Sequence, residues 1–451
     1  MKSRLLRRLT GLRFKALGIA LLTIVVLGCT HARAATLPEP KTPITFSEFL
    51  GFNTPFLFFD PETYTKQIEL LKALGLKWVR IDLHWYHLED EEGKYNLAPL
   101  DELLRIVQQE ELIPVVYLVG SAKFASTAPS GDPNIDQWPP RSNEEFAVRM
   151  VSLAKRYPFV KYWQIWNEPN INPFWQPKED PQAYAKLVKV TANALRLQTP
   201  DARVVLGGMA YYSQMPMHAS ALMLEELGKL GVLDLVDVVA YHPYTDEPEG
   251  DPAIGDQENF IERAVRLNAK LRNAGVKNLW ATEFGWSTYK GPKVMQSIID
   301  ETTQADYFLR RLALMMVLDY DRVFWFSLSD LDQRVAERDR FYGMVTLEVK
   351  PKPIYTALQN FLSVTGARVV PTVPLQPSSG DPAGIYATTW QRNDGAKLWF
   401  FWGKNFQVVR FDTIQSAVLH QPILGINQTL TATAGQVSVP VQPYFQILEV
   451  R

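Results

Sequence analysis

Two glutamates, 115 residues apart, carry the chemistry that this sequence offers. Glu168 lies in Trp166-Asn167-Glu168-Pro169-Asn170, which ends the apolar run of residues 160–165. Proline brings no N–H to a sheet ladder, so a strand stops here and sets the carboxylate at its C-terminal lip, with the Asn167 amide beside it. Glu283 has the same setting in Leu279-Trp280-Ala281-Thr282-Glu283-Phe284-Gly285-Trp286. Paired carboxyl groups at strand ends, flanked by tryptophan, are what cleavage of a glycosidic bond requires. One protonates the leaving oxygen; the other attacks the anomeric carbon or activates water. Their surroundings must then drive the two pKa values apart.

The candidate substrate-binding residues are Asn167, Arg80, His84, Trp85, Trp175, His242, Tyr244, Trp286 and Trp325. Asn167 can bond a sugar 2-hydroxyl, a contact that strengthens in the transition state. His242 and Tyr244 close a strand next to that of Glu283, where an imidazole and a phenol can hold its carboxylate. Arg80 offers that carboxylate a fixed positive charge, or else pairs with Asp82 or another neighbour. His84 and His87 have no third ligand placed by sequence, so sugar contact or packing is favoured over metal, and no cofactor is implied. Trp78 and Trp280 fall within strands and are expected in the core. Trp85, Trp138, Trp175, Trp286 and Trp325 fall at strand ends or in loops, where a ring can stack on a pyranose. Residues 329–343 form a long charged loop, either a cleft wall or a solvated flap. Nucleophile elbows, phosphate-binding loops and HExxH zinc motifs are missing, which excludes those chemistries.

The elements that must position these groups alternate. Strands are expected at 49–53, 77–83, 112–118, 160–166, 203–206, 235–241, 278–282 and 322–328. Helices follow them at 61–74, 97–110, 143–156, 181–197, 219–230, 257–274, 301–318 and 354–364. Eight such units make an α/β fold, a (β/α)8 TIM barrel, over residues 46–366. A doubly wound sheet would want a glycine-rich first turn, which Leu50-Gly51-Phe52-Asn53 does not give. From residue 367 to 451 prolines and short alternating runs predict a small all-β sandwich. Its strands are expected at 385–390, 397–402, 408–411, 417–420, 429–432, 436–439 and 444–450. It is read as a brace for the barrel rather than a binding module.

Residues 1–34 read as an export segment: a basic start, an apolar stretch over 16–28, and a small-x-small site at Ala32-Arg33-Ala34. Val26-Leu27-Gly28-Cys29 also resembles a lipobox, so lipidation at Cys29, simple secretion and an uncleaved anchor stay open. Residues 35–45 are a proline-rich linker. Cys29 is the one cysteine, so the body after it holds no disulfide. Removing residues 1–34, with seven basic groups and no acids, lowers the net charge from −1 to −8. That argues against nucleic acid as a partner. A polysaccharide in the periplasm, a possible membrane tether through the N-terminus and a monomeric state are the expectations.

The segments around Glu168 and Glu283 resemble clan A glycoside hydrolases, and family 39 in particular. Residues 117–122, Tyr241-His242-Pro243-Tyr244-Thr245, 287–292 and 328–334 are similar to the biofilm-exopolysaccharide endoglycosidases within that family. The likeness spans residues 46–450. It implies a retaining, endo-acting hydrolase with Glu168 as acid/base and Glu283 as nucleophile. The implied substrate contains mannose, glucose and rhamnose and is cleaved during its biosynthesis or export. An exo-acting xylosidase or uronidase, and a non-catalytic carbohydrate-binding component of an export machine, are the alternatives.

Overall fold

Alternation along one strand, Trp78–His84, shows how the wall of the molecule is built. Val79, Ile81 and Leu83 pack outward with the helices. Trp78 joins a separate cluster with Val115, Val205, Val238, Trp280 and Phe324 inside the ring of strands. Arg80, Asp82 and His84 follow Trp78 on the same side and reach the open mouth. A period of two thus separates a packed floor from a polar cavity.

The computed structural model describes residues 37–210, 222–250, 260–293, 296–382, 384–412 and 414–451. The expected export segment, with Cys29 and the Ala34 site, lies outside them, as do the first residues of the helices expected at 219 and 257. Among the described residues no helix is long and apolar enough to cross a membrane.

Eight strands run parallel: β1 (Leu50–Asn53), β2 (Trp78–His84), β3 (Ile113–Val119), β4 (Tyr162–Ile165), β5 (Arg203–Leu206), β6 (Val239–His242), β7 (Leu279–Phe284) and β8 (Arg322–Trp325). Their order is β5-β4-β3-β2-β1-β8-β7-β6. A ninth strand, Met209–Ala210, resumes β5 after Gly207-Gly208 and pairs with β6, so the sheet curls round on itself. Each strand is followed by a helix: α1 (Pro61–Ala73), α2 (Ala98–Gln109), α3 (Asn143–Arg156), α4 (Pro181–Gln198), α5 (Met223–Lys229), α6 (Phe260–Asn273), α7 (Glu301–Met315) and α8 (Pro353–Thr365). Local chemistry starts them. Asp60, Ser142, Asp180 and Asp300 each accept an N–H of the first turn, with Pro61 and Pro181 opening α1 and α4. This is the expected TIM barrel.

The floor is aromatic. Trp78 and Trp280 meet edge to face at 5.7 Å, and the Arg322 guanidinium lies 3.4 Å from the Trp78 ring. Both tryptophans are core, as expected.

After α8 come β9 (Arg368–Pro371), β10 (Ile385–Arg392), β11 (Lys397–Gly403), β12 (Gln407–Phe411), β13 (Ser416–Gln421), β14 (Ile426–Thr431), β15 (Val437–Val441) and β16 (Gln446–Val450). Six of them form an antiparallel sheet in the order β9-β10-β11-β16-β13-β14, and β12 and β15 form a separate ribbon. The sheet gains a seventh strand, Ile44–Thr45, from ahead of the barrel. β9 and this early strand are two to four residues long and end near prolines, too short for the alternation signal. Along β11, Trp399 and Phe401 share a core with β12 and β15, while Phe400 and Trp402 belong to the barrel's own core. Phe361 of α8 meets Phe400 at 5.5 Å and Phe445 at 5.9 Å.

Candidate active site

Arg80 is the centre from which the site is assembled. It is 1% exposed, and such a buried charge demands partners. Its Nε donates to Gln164 Oε1, its Nη1 to Asn53 Oδ1 and Glu283 Oε1, and its Nη2 to Asn167 Oδ1, each at 2.7 Å. The Tyr117 ring lies 4.0 Å from the guanidinium carbon. One planar side chain therefore fixes groups from β1, β4, β7 and the turn after β4. The open question about Arg80 is resolved: its carboxylate is Glu283, while Asp82 lies 3.5 Å from His84. Asn53 and Gln164 are in turn oriented by donating to Thr282 O and Leu206 O at 2.9 Å.

Glu168 and Glu283 receive different surroundings. Glu168 stands three residues beyond β4, in a turn where Trp166 (φ 71°) and Glu168 (φ 42°) take left-handed backbone. Its N–H donates to Gly208 O at 2.9 Å, tying the turn to the end of β5. Gly208 must be glycine, since a Cβ there would fall 1.9 Å from His242 Nε2. His242 is fully buried, with Nδ1 2.7 Å from Glu168 Oε1 and Nε2 3.0 Å from Thr282 Oγ1. Burial pushes the Glu168 carboxyl up to about 8 and the His242 imidazole down to about 3. The two are then uncharged at neutral pH, the Glu168 proton lying towards Nδ1. Glu283 accepts from Arg80 on Oε1 and from the Tyr244 hydroxyl on Oε2 at 3.1 Å. Carboxylate oxygens of Glu168 and Glu283 and a ring nitrogen of His242 all lie within 4.8 Å of one another. These three could in principle hold a metal ion, but the hydrogen bond joins two of them and Arg80 already places a positive charge on the third.

Residues 46–400 match the model of glycosyl hydrolases family 39. The chain belongs to glycosyl hydrolase family 39. It is a glycoside hydrolase, acting on O-glycosyl bonds of a carbohydrate. Among solved structures, the family 39 glycoside hydrolase of Bacteroides cellulosilyticus WH2 superposes with a TM-score of 0.70 at 19% identity, over 92% of this chain and 83% of that one. The family 39 enzyme of Xanthomonas axonopodis pv. citri gives 0.62 at 17% identity, over 93% and 98%. A monomeric β-xylosidase of Caulobacter crescentus CB15 gives 0.61 at 16%, also over 93% and 98%. A search of curated proteins returns no match.

In this family 39 enzyme the two glutamates open on a cavity of about 820 Å³ at the C-terminal end of the barrel. Of the expected binding residues, Arg80, His84, Asn167 and Tyr244 line it. His242 does not; it sits behind Glu168. The expected stacking roles of four tryptophans are corrected. Trp85, Trp175, Trp286 and Trp325 are at most 2% exposed and do not line this cavity. Indole is large enough to fill the gap between strand and helix, and three of these N–H groups find acceptors in the wall. Trp85 donates to Glu89 at 2.8 Å, Trp286 to Thr245 O and Asp246 O at 2.9 Å, and Trp325 to Tyr342 O at 3.1 Å. Trp175 packs on Trp166 at 5.2 Å. The cavity's phenyl and phenol rings are instead Phe58, Tyr86, Tyr117, Phe174, Tyr244, Phe326 and Tyr342. The loop of residues 329–343 is a cleft wall, contributing Leu331, Arg334 and Arg338 among others. Asn53 and Gln164 were the missed supports. Counting inward positions along β1 and β4, by the rule that finds Arg80 on β2, would have picked them out.

Proposed function

We propose that this enzyme is a retaining, endo-acting hydrolase of an exported exopolysaccharide, with Glu168 as acid/base and Glu283 as nucleophile. The observation that carries the reading is the separation of at most 4.8 Å between carboxylate oxygens of the two glutamates. Retaining glycosidases hold their carboxyl groups about 5–5.5 Å apart, whereas inverting ones leave about 6.5–9.5 Å for a water. Glu168, kept protonated by burial, gives its proton to the glycosidic oxygen as Glu283 attacks the anomeric carbon and forms the glycosyl-enzyme. Glu168, now a carboxylate, takes a proton from water as that water displaces Glu283 and restores the acid. The Asn167 amide nitrogen has no protein acceptor among the described residues and reaches the sugar 2-hydroxyl.

A polymer substrate is favoured by the cavity, whose volume exceeds that of a single sugar, and by the similarity of residues 117–122, 241–245, 287–292 and 328–334 to the endoglycosidase of the Psl biofilm exopolysaccharide. On that reading the substrate contains mannose, glucose and rhamnose. The enzyme works as a monomer in the periplasm, exported or tethered by residues 1–34. A second reading, exo-acting release of a terminal sugar, is favoured by the likeness to the Caulobacter β-xylosidase. Digestion of the purified exopolysaccharide, with products sized by mass spectrometry, separates them: a ladder of oligosaccharides supports endo cleavage, and monosaccharide alone refutes it. Proton NMR of the first-formed anomer tests retention. Glu283→Ala should remove turnover while leaving the melting temperature within a few degrees, and retained activity would end the assignment.

A further inference from the structure

A second cavity, of about 870 Å³, lies between the β3–α3 and β4–α4 loops, outside the one that holds the glutamates. Its walls include Trp138, Trp175, Arg141, Lys178 and Lys186. Trp138 is half-buried, whereas Trp175 beside it is only 2% exposed. Its ring is held in place: Nε1 donates to Asp132 Oδ2 at 3.1 Å, and its carbonyl accepts from the Ser121 hydroxyl at 2.7 Å. A fixed indole with its N–H already engaged is a stacking surface for the apolar face of a sugar. Lys178 and Lys186 are exposed and have no protein partner among the described residues, so their ammonium groups are available to hydroxyls. Of the two acids on the rim, Asp180 is engaged as the N-cap of α4, accepting from Gln182 and Ala183.

The two cavities share their dividing wall. Phe174 lines the catalytic cavity, and Trp175, the next residue, lines the second. Gln176 N–H donates to Gln137 O at 2.9 Å, which locks the β4–α4 loop to the segment leading to Trp138. Asp136, two residues before Trp138, acts electrostatically on Tyr86 and His87 of the first cavity. Adjacent residues thus line the two cavities, and one backbone hydrogen bond ties this loop to the segment that carries Trp138.

We propose that the second cavity is a distal glycan subsite, which holds a remote segment of the polysaccharide by stacking on Trp138 and by hydroxyl contacts to Lys178 and Lys186. The proposal rests on the endo-acting reading. Its consequence is selective: it strengthens the grip on a long chain and does nothing for a short one that ends inside the catalytic cavity.

The test compares kcat and KM on the purified mannose-, glucose- and rhamnose-containing exopolysaccharide with those on the shortest fragment of it that is still cleaved. Trp138→Ala should raise KM on the polymer about five- to tenfold, the value of one lost ring contact, with kcat held. KM on the fragment should move less than twofold, and Trp138→Phe should recover most of the polymer affinity. Lys186→Ala, at an exposed position of α4, should raise the polymer KM about twofold or more. Equal losses on polymer and fragment, or unchanged polymer KM in both Trp138→Ala and Lys186→Ala, overturn the subsite. If the parent enzyme cleaves fragments but releases no oligosaccharide from the polymer, the endo reading falls and takes the subsite with it. A parent that depolymerises, with variants that match it, sinks the subsite alone.

Discussion

Glu168 and His242 face each other across 2.7 Å, both buried, and one proton between them keeps both uncharged. In its proposed role as general acid Glu168 must start protonated, so kcat/KM should fall as pH rises through about 8, where it loses its proton. Glu168→Gln should remove that alkaline limb and lower kcat/KM on unactivated glycosides by roughly 10²–10⁴; a limb that survives the substitution would assign it elsewhere. The same burial has a cost in stability. Glu168 binds its proton more tightly folded than unfolded, so its contribution is complete below the unfolded value of 4.5 and is lost as pH rises towards about 8. His242 works in the opposite sense: its neutral burial stabilises above 6.5, and that contribution is lost as pH falls towards about 3. Glu168→Gln, which cannot ionise, should therefore melt higher than the parent at pH 9 and show no such gain at pH 5. At this scale the sequence reveals the glutamates because proline and strand ends advertise them. It hides which tryptophans are buried, because ring size alone does not say on which side of the wall a ring falls. Trp138, the one singled out beside them that stays half-exposed, looks no different in sequence.

Elements place these residues by how closely their backbones approach. β5 breaks at Gly207-Gly208, and the break lets its end come against His242 and accept the Glu168 N–H. The Tyr184 hydroxyl donates to Ile165 O at 2.8 Å and accepts from Gly207 N–H at 2.9 Å, so α4 stitches β4 to β5 just below the acid. Gly208→Ala would drive a methyl into the imidazole. It should cut kcat by tenfold or more and lower stability by about 1–3 kcal/mol, the usual range for overpacking, read by kinetics and urea denaturation. A variant with parental kcat would mean that His242 moves freely and does not position Glu168. The alternating strands and capped helices could be read in advance because each is specified by nearby residues: alternation in β2, Asp60-Pro61 before α1, Ser142 and Glu145 at α3. Phe58 and Tyr86 of the cavity sit on single helical turns, Phe56–Phe58 and Trp85–Leu88, and Phe174 in a loop, all too short for a period to mark which ring turns inward.

The whole molecule joins its second sheet to the barrel close to the chemistry. Trp402 of β11 donates to Glu249 at 2.8 Å, Arg310 of α7 pairs with both Glu249 and Asp306, and Asp306 accepts the Phe445 N–H at 2.8 Å. Glu249 lies five residues beyond Tyr244, whose hydroxyl holds Glu283. Trp402→Ala should lower stability by about 3–5 kcal/mol, by loss of packing and exposure of that ion cluster. It should also lower kcat at a temperature where the variant is still folded; a stability loss with untouched kcat would confine the sheet to bracing. Ile44–Thr45, ahead of the first barrel strand, pairs with β9 beyond the last helix, and Phe46 N–H donates to Ala367 O at 3.0 Å. That clasp sets a clock on biogenesis. At roughly 5–20 residues added per second, Ile44 is joined to the chain roughly 16–65 s before its partner Val369. Throughout that interval the opening strand has no mate, and Phe46 lacks the segment it will bind, so the clasp closes only once the barrel's last helix has been made.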